Sequence, residues 1–533
     1  MYRLKGRVKL NRIIVMLLLA MVLTLQLGLV SGRVAAQDCT PSGEVIKRGG
    51  ELRFGRWEEP LTFDPQVPGD NGSIYLIVQV FDTLVRPGPT GTELEPGLAK
   101  SWDISDDKLT YTFHLRPAKF STGDTVTADD VVFSLERARE AGRGYAFLFE
   151  PLDKIEKTDD ATVKITLKRP FSPMLSTLSV FASSIVPKSV VTADPDNFGS
   201  KPVGSGPFMV QEYTRGDKVV LVPNPNYWDL GADCKPLPYL DKITVKYVPE
   251  SNSRVLGFRN NDFDVIAIVP YSEAKGLSTV DGITLEVAPL YRLDYVYLNH
   301  KAAPLDNKDF RLALNYAADR QAILDLVFFG YGELPNSFMP KMNFHSPDVP
   351  MIPYDPEKAK ALLASANYNG EKLTLLIPSG DAPSKQIATI LQQSWSEVGI
   401  NVELQEMDGG AIFGELAKGN YQANVSYITS DINDDDELAT LQGDSSAQSG
   451  FFSFFSWYDN PKVNDLLAQA RSTDDSAKRA ELYKQVQQMA YYEDGYSVPL
   501  NFSPYVNGYY SYVKGWKNVA TGWWWLSKVW LDK

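Results

Sequence analysis

The sequence predicts an α/β protein of more than one domain. Strand and helix patterns alternate between residues 354 and 418, which is typical of helices packed on a sheet. Residues 202–290 are instead rich in strand patterns separated by turn signals such as Arg215-Gly216-Asp217. The chain has 533 residues, more than one hydrophobic core usually organises. We therefore expect two or three domains of mixed α/β structure.

Local patterns support the individual elements in chain order. In residues 109–115, "LTYTFHL", apolar and polar residues alternate as in a half-buried strand. Thr127, with Asp130 three residues later, predicts a helix start with a capping box. Asp355 before Pro356 predicts a second helix start. The following strand, helix, strand and helix patterns of residues 373–418 complete an α/β domain.

The first 36 residues have the pattern of an export signal. A basic start is followed by an apolar run over residues 13–30, and Val34-Ala35-Ala36 offers small residues for cleavage. The apolar run is also long enough to remain as a membrane anchor, so both outcomes stay open. Residues 1–36 hold six of the 53 basic residues and no acidic ones, so the remainder carries a net charge of -19. This charge argues against nucleic acid as the main partner.

Two cysteines, Cys39 and Cys234, follow the predicted cleavage site. In an oxidising compartment they can form a disulfide, and the alternative is two free thiols. Ala36-Gln37-Asp38 precedes Cys39 and does not match the pattern of a lipidated cysteine.

The sequence lacks the common motifs of enzymes and zinc sites. His114, His300 and His345 are far apart, and no HExxH, GxSxG, P-loop or GxGxxG motif occurs. Each histidine is interpreted as a strand or surface residue. We expect no catalytic residues, no metal and no cofactor, although a triad assembled from distant positions stays open as a remote alternative, a secreted hydrolase.

Several motifs in order resemble one family. "EPGLAKSWDISDDKLTYTFHLRPAKFSTGDTVTADDVVFSLERA" (95–138), "PVGSGPFMV" (202–210), "NPNYW" (224–228) and "DFRLALNYAADRQAI" (309–323) are similar to landmarks of the extracytoplasmic solute-binding proteins of ABC transporters, family 5. That family includes peptide, oligopeptide and nickel binders. The resemblance extends over roughly residues 45–533.

The resemblance implies a two-lobed, type II periplasmic-binding-protein-like fold with an extra domain and a ligand cleft between the lobes. Lobe 1 would comprise residues 37–80, 200–292 and 497–533, with the additional domain at 81–199 packed on it. Lobe 2 would comprise residues 293–496. The implied function is capture of a solute and its delivery to the transmembrane subunits of an ABC permease, by a monomer outside the cytoplasm.

The stretch "SDINDDDELAT" (430–440) contains five acidic residues. Read as an EF-hand loop, it places Asp436 where glycine is needed and Gln442 where a bidentate glutamate is needed, which argues against calcium. The resemblance offers another interpretation, because peptide binders of the family carry an aspartate here that pairs with the α-ammonium of the ligand. Asp431 lies at that position, and Tyr427, Thr429 and Ser430 would offer backbone groups to an extended peptide. The alternative, that the acids cap the next helix and face solvent, is favoured for residues 434–437.

One departure from the family concerns the ligand carboxylate. Dipeptide binders carry an arginine in the loop that here reads "PSGDAPSKQ" (378–386), where Lys385 is the only cation. Lysine is a point charge and does not replace the arginine fork. We therefore expect an oligopeptide instead of a strict dipeptide ligand.

Aromatic residues leave a second ligand class open. Trp57 and Glu58 lie near the N-terminal strand, where the resemblance implies contact with ligand, and Trp457 lies in an aromatic run. Together with Trp523–Trp525, such rings also suit sugars, so an oligosaccharide is the alternative ligand. The opposing interpretation is that these rings build the core.

Overall fold

The structure is a computed structural model that describes residues 39, 42–67, 70–91, 93–141, 144–445 and 455–533. The predicted export signal, residues 1–36, lies outside the described residues, as do residues 451–454 of the aromatic run. Within the described ranges, no helix combines the length and apolar character needed to cross a membrane.

The chain divides into a small and a large unit. The small unit comprises residues 1–45 and 232–235. Its described part contains a disulfide between Cys39 and Cys234, and the backbone N–H of Ser42 donates to the carbonyl of Ala232 at 3.0 Å. The large unit comprises residues 46–231 and 236–533 and contains the sheets described below.

A seven-stranded sheet forms the first layer of the large unit, counted over the described residues. Strand Glu51–Arg56 lies near its centre and runs parallel to Lys242–Tyr247, so Arg56 is paired with Tyr247 at their carboxyl ends. The strands in sheet order are Ile283–Ala288, Tyr505–Tyr510, Val265–Ile266, Glu51–Arg56, Lys242–Tyr247, Lys218–Pro223 and Phe208–Thr214.

A five-stranded sheet is built from later residues. Its order is Val402–Met407, Leu373–Pro378, Ala423–Thr429, Arg292–Leu298 and Ser497–Asn501. The last of these strands corrects one expectation, because the sequence analysis placed residues 497–533 in lobe 1. Ser497–Asn501 pairs instead with Arg292–Leu298. The physical reason is that the partner of strand Ser497–Asn501 lies about 200 positions earlier in the chain, and no local pattern specifies such a pairing.

A four-stranded antiparallel sheet is formed by residues that lie in the chain between strands Glu51–Arg56 and Phe208–Thr214 of the seven-stranded sheet. Its order is Ala99–Ile104, Thr110–Leu115, Thr162–Leu167 and Leu152–Asp159. Two short pairs complete the strands, Val85–Pro87 with Leu94–Pro96 and Val513–Lys514 with Trp530–Leu531.

Helices connect and cover these sheets. The α-helices of the described residues are Asn71–Val80, Ala128–Glu140, Met174–Thr177, Lys188–Ala193, Ser251–Arg259, Tyr271–Leu277, Lys308–Tyr316, Arg320–Leu326, Pro356–Ser365, Ala382–Glu397, Gly409–Lys418, Asp436–Gly443, Pro461–Arg471 and Ser476–Gln487.

The local sequence patterns correspond to observed elements. Strand Thr110–Leu115 alternates half-buried and buried residues as expected. Thr127 and Asp130 form the predicted capping box. Asp355 caps the helix that begins at Pro356 by accepting from the backbone N–H of Lys358 at 2.9 Å.

The tryptophan run near the C-terminus belongs largely to the core. Trp523 and Trp524 are buried, and the ring of Trp524 lies 5.0 Å from Phe54 and 5.3 Å from Tyr75 between ring centres. Trp525 is half-buried beside them. These rings stabilise the large sheet, in agreement with the core interpretation of the aromatic residues.

Candidate functional site

The acidic stretch begins at one edge of the five-stranded sheet. Strands Leu373–Pro378, Val402–Met407 and Ala423–Thr429 run parallel, so their carboxyl ends meet at the same edge. Asp431 follows the last of these strands by two residues. In open α/β sheets, ligands bind at the carboxyl ends of the strands. The fold therefore puts Asp431 where a ligand site is expected.

Strand Ala423–Thr429 leaves part of one edge open. The backbone N–H of Ser430 donates to the carbonyl of Tyr291 on the neighbouring strand. Backbone N–H and carbonyl groups of successive residues in a strand point to opposite edges, so those of Thr429 and Tyr427 point away from that neighbour, to the other edge. On that edge, pairing with Leu373–Pro378 ends at Asn424. Within the described residues, no strand pairs there with Tyr427 or Thr429. An extended backbone can add to this edge.

The carboxylate of Asp431 is buried and has few partners. Its side chain accepts a hydrogen bond from the hydroxyl of Tyr145, which follows the helix Ala128–Glu140 in the chain. The residue is only 8% exposed. Burial raises the pKa of Asp431 to about 6, and the hydrogen bond from Tyr145 opposes this increase.

Glu437 organises the turn that carries Asp431. Its Oε2 accepts from the hydroxyl of Ser430 at 2.6 Å, from the N–H of Asp431 at 2.9 Å and from the N–H of Ile432 at 3.2 Å. Burial and the negative charge of Asp431 raise the pKa of Glu437 to about 8. Across the described chain, neither carboxylate forms an ion pair with lysine or arginine. Ser430 already uses its N–H and hydroxyl within the protein, so it positions the turn and presents neither group to a ligand.

The remaining acids differ from the expectation that they face solvent. Asp434, Asp435 and Asp436 are buried. Asp434 accepts two hydrogen bonds from Arg479, at 2.7 and 2.9 Å, and Asp436 accepts from Arg471 at 2.8 Å. The expectation was wrong because these arginines lie 35 and 45 residues away in the sequence, and only the fold brings them to the acids.

Asp435 is also buried, and it does not cap the next helix with its side chain. Asp435 precedes helix Asp436–Gly443 without a side-chain cap, while Asp434 accepts from the N–H of Asp436 at 3.0 Å. Asp435 accepts from the N–H of Phe344 at 3.1 Å, and burial with the charge of Asp434 raises its pKa to about 7. Over the described residues, no group of three histidine, cysteine, aspartate or glutamate side chains is arranged to hold a metal ion.

Tyr427 lies on strand Ala423–Thr429, four positions before Asp431. Its residue surface is 46% exposed, and burial of its hydroxyl raises the pKa of that group well above the ordinary value. The side chain is thus partly accessible to solvent. The guanidinium of Arg292 lies 3.8 Å from the centre of this ring and pairs with Asp294 at 2.7 Å.

Of the two predicted residues at the end of the first strand, Glu58 interacts with Tyr427. Trp57 and Glu58 follow the carboxyl end of strand Glu51–Arg56 in the seven-stranded sheet. Burial raises the pKa of the Tyr427 hydroxyl, and the negative charge of Glu58 raises it further. Glu58 therefore lies at the boundary between the two sheets.

Trp457 is not part of this group. Its ring lies against Gly419, and the ammonium of Lys301 lies 4.2 Å from the ring centre. Gly419 precedes the amino end of strand Ala423–Thr429, whereas Asp431 follows the other end. At about 3.3 Å per residue the strand separates the two ends by roughly 20 Å.

The histidines have structural surroundings. His114 lies in strand Thr110–Leu115 and contacts Asp103 at 2.8 Å. His300 is half-buried, its ring nitrogen contacts the carbonyl of Tyr496 at 2.9 Å, and desolvation lowers its pKa to about 3. Burial lowers the pKa of His345 to about 4, and its ring packs on Phe502.

Two functional candidates escaped the sequence analysis. Tyr145 is 286 positions from Asp431 in the sequence. Arg292 begins a strand, but the sequence analysis treated residue 292 only as the end of a lobe 1 segment. No local motif marks either residue. The alternation "YRLDYVYL" does indicate a strand, and a charged pair inside a buried strand is the signal that could have drawn attention to Arg292 and Asp294.

Comparison with known proteins decides the family. The family model described as bacterial extracellular solute-binding proteins, family 5, middle part, matches residues 93–450. The chain belongs to this family.

Relatives and solved structures support the assignment along most of the chain. This family 5 protein is 31% identical over 449 residues to the probable D,D-dipeptide-binding periplasmic protein DdpA of Escherichia coli, covering 82% of this chain and 86% of DdpA. It is 31% identical over 461 residues to heme-binding protein A of Haemophilus influenzae, covering 80% and 83%.

A solved structure shows the same fold. The periplasmic binding protein DppA of Helicobacter pylori, in complex with the peptide STSA, superimposes with a TM-score of 0.83 at 29% identity, covering 91% of this chain and 99% of that one. The family 5 chain thus has the two-lobed α/β fold of ABC-transporter solute-binding proteins. Proteins of this family bind substrates and are not enzymes.

Proposed function

We propose that this protein is the extracytoplasmic solute-binding subunit of an ABC importer and that its ligand is an oligopeptide. The peptide binds between the lobes, with its α-ammonium on Asp431, and the loaded protein delivers it to the transmembrane subunits of a permease. No bond of the ligand is broken. The export pattern of residues 1–36 and the periplasmic relatives support a location outside the cytoplasm.

The observation that carries the proposal is a pair of buried acids, Asp431 and Glu437, that form no ion pair with a described lysine or arginine. Two buried carboxylates share one turn, and their described partners are hydroxyl and backbone N–H groups. Burying a charge without a partner is costly, so a cation arriving with the ligand gains a strong interaction. An α-ammonium is such a cation.

The open strand edge supports a peptide in particular. Tyr427 and Thr429 direct backbone groups to an edge that lacks a strand partner in the described residues. A peptide that places its ammonium near Asp431 can run beside this edge and pair its backbone with it. A ligand without a peptide backbone does not use this geometry.

The surroundings of the ligand carboxylate favour more than two residues. Lys385 pairs with Glu406 at 2.6 Å and is exposed. Arg292 lies against the ring of Tyr427, but Asp294 already balances its charge. Since neither cation is free to clamp a carboxylate, a longer peptide whose carboxylate lies elsewhere fits better than a dipeptide.

The oligosaccharide alternative lacks a comparable observation. Of the tryptophans that suggested it, Trp524 is fully buried and Trp457 lies at the far end of the strand from Asp431. A sugar also supplies no cation for the two carboxylates. Heme, named for one relative, carries anionic propionates that the acidic turn would repel.

The first test is mass spectrometry of the ligand released when the purified protein is denatured. A set of short peptides supports the proposal and gives their length directly. A hexose oligomer or a heme contradicts it.

A second test asks whether the ammonium is recognised. Titration calorimetry compares a bound peptide with the same peptide carrying an acetylated N-terminus, which has no charge. We expect the acetylated peptide to bind at least about thirtyfold more weakly, since a lost charge pair in a desolvated site costs about 2–5 kcal/mol. Equal affinities contradict the role of Asp431, while a C-terminal amide serves as the matched control.

A further inference from the structure

A pocket lies at the carboxyl edge of the seven-stranded sheet. It has a volume of about 290 Å³, and its lining includes Trp57, Glu58, Glu59, Asp70 and Tyr247. Arg56 and Tyr247 end the two parallel strands that meet here, so the pocket occupies the edge at which α/β sheets bind ligands. At about 30 Å³ per water molecule, the space holds roughly ten waters or one long side chain.

The walls of this pocket combine aromatic faces with negative charge. Trp57 and Tyr247 supply rings, and Glu58, Glu59 and Asp70 supply three carboxylates. Asp70 caps helix Asn71–Val80 through the N–H of Ser73 at 2.8 Å, and Glu59 accepts from the N–H of Gly216 at 2.7 Å. Within the described part of the chain, none of the three acids forms an ion pair with lysine or arginine.

A buried hydroxyl in the same pocket lacks a partner. Tyr247 is 6% exposed, and its hydroxyl makes no hydrogen bond with any described residue. Buried polar groups are nearly always hydrogen-bonded, so an unpartnered hydroxyl beside a pocket indicates a missing donor or acceptor. This observation is independent of the acids.

The positive charges nearby do not cancel the acids. Arg56 lies behind the wall, where it donates to the carbonyls of Asn71 and Gly72 and stacks 5.1 Å from the centre of the Trp57 ring. Arg215 interacts with Tyr213 on the adjoining hairpin. Neither arginine lines the pocket, and the two together leave an excess of negative charge.

The spacing of the acids selects the shape of the ligand. Among the described residues, the three carboxylates of Glu58, Glu59 and Asp70 are not arranged closely enough to hold a metal ion. Acids distributed along a pocket with aromatic walls suit an extended organic cation, because ammonium and guanidinium groups interact with ring faces as well as with carboxylates.

We propose that this pocket binds a long-chain ammonium or guanidinium group, such as the side chain of lysine or arginine in a bound peptide. The peptide as the source of that group rests on the proposed function. Glu58 lines the pocket, and its charge also acts on Tyr427, which lies on the strand that precedes Asp431. The pocket would thus select peptides with a basic residue at one position.

Titration calorimetry with six tripeptides tests this selection. Lysine is placed at the first, second or third position between alanines, and norleucine, which lacks only the ammonium, replaces it in the matched peptides. At one position we expect lysine to bind at least about tenfold more tightly, since its ammonium gains charge-assisted hydrogen bonds that norleucine cannot form. Cadaverine, a free diamine, is the seventh probe.

Two variants assign the preference to the pocket. In Glu58→Gln the ratio of lysine to norleucine affinity should fall below about threefold, and Tyr247→Phe should also lower it, because each change removes a polar partner. Glu51→Gln is the matched control, since Glu51 lies at the other end of the same strand, paired with Lys242. The control should keep the ratio of the unmodified protein.

The outcomes separate this inference from the proposed function. If peptides bind without a preference for lysine, or if the preference survives in Glu58→Gln, the inference is wrong and the peptide function stands. If no tripeptide binds but cadaverine does, with a loss in Glu58→Gln, the pocket is supported and the peptide function is contradicted. If none of the seven probes binds, both are contradicted.

Discussion

Asp431 and Asp434 lie three residues apart in one acidic stretch, and the structure gives their carboxylates opposite surroundings. Asp434 is held by both nitrogens of the Arg479 fork. Asp431 accepts a hydroxyl from Tyr145 and shares its turn with a second carboxylate, Glu437. Both aspartates are buried, so burial alone does not distinguish them. The presence or absence of a cationic partner separates an acid that stabilises the fold from one available to a ligand.

The largest effect is expected on protein stability, from a change at Asp434. Asp434→Ala leaves Arg479 buried without its partner, which should lower the free energy of unfolding by about 3–5 kcal/mol. Chemical denaturation of the ligand-free protein measures the change. Asp348→Ala is the matched control, because Asp348 pairs with Lys484 on the same helix as Arg479 but at the surface, where an ion pair contributes little to stability. Equal losses in the two variants would contradict the distinction.

The next effect concerns binding. Asp431→Asn should weaken binding of a peptide with a free N-terminus by about 2–5 kcal/mol, because the ammonium loses its carboxylate. The ligand-free protein should be as stable as before or more stable, since the change removes a buried charge that lacks a cation. Calorimetric titration and denaturation are measured on the same sample. A loss of stability comparable to that of Asp434→Ala would place Asp431 with the structural acids.

The sequence predicts the fold far better than it predicts this distinction. Alternation in residues 110–115 and the caps at Thr127 and Asp355 depend on neighbours within a few positions, and these elements are present as expected. The partners of Asp431 and Asp434 come from 286 and 45 positions away. No periodicity or motif encodes such contacts, so the paired acids were expected to face solvent.

The same argument applies to the aromatic residues. Trp57 and Trp457 both lie in loops near strands, so their local sequences do not show which of them is close to a ligand site. Only the sheet topology shows that Trp57 lies at a carboxyl edge, while Trp457 lies at the amino end of strand Ala423–Thr429. The direction of a strand relative to its neighbours depends on chain crossings that local sequence does not specify.

A smaller effect is expected from pH. Burial raises the pKa of Asp431 to about 6, so affinity for an ammonium should fall as pH decreases through about 6. It should also fall above about pH 8, where the α-amino group of the ligand loses its proton. Because the folded pKa of this acid exceeds its unfolded value of 3.8, its contribution to ligand-free stability decreases as pH rises between these two values.

Glu437→Gln sharpens the pH comparison. The pKa of Glu437 is about 8 and that of Asp431 about 6, so Glu437 is already protonated at the pH where Asp431 titrates. Glu437 accepts from the N–H groups of Asp431 and Ile432, and a glutamine oxygen can still accept from them. The acid limb of the affinity profile should therefore stay near pH 6 in the variant. Affinities measured from pH 4 to 9 in both proteins test this, and an acid limb that moves to lower pH would show that Glu437 is ionised where Asp431 titrates.

The smallest effect is expected at Lys385, the cation of the loop where family dipeptide binders carry an arginine. Lys385 is exposed and pairs with Glu406, so Lys385→Ala should change both stability and peptide affinity by less than about 1 kcal/mol. The measurement compares peptides with their C-terminal amides. If the variant loses affinity for the free acids but not for the amides, Lys385 binds the ligand carboxylate. Both ends of the ligand would then be fixed by charge, and the ligand would be a dipeptide instead of a longer peptide.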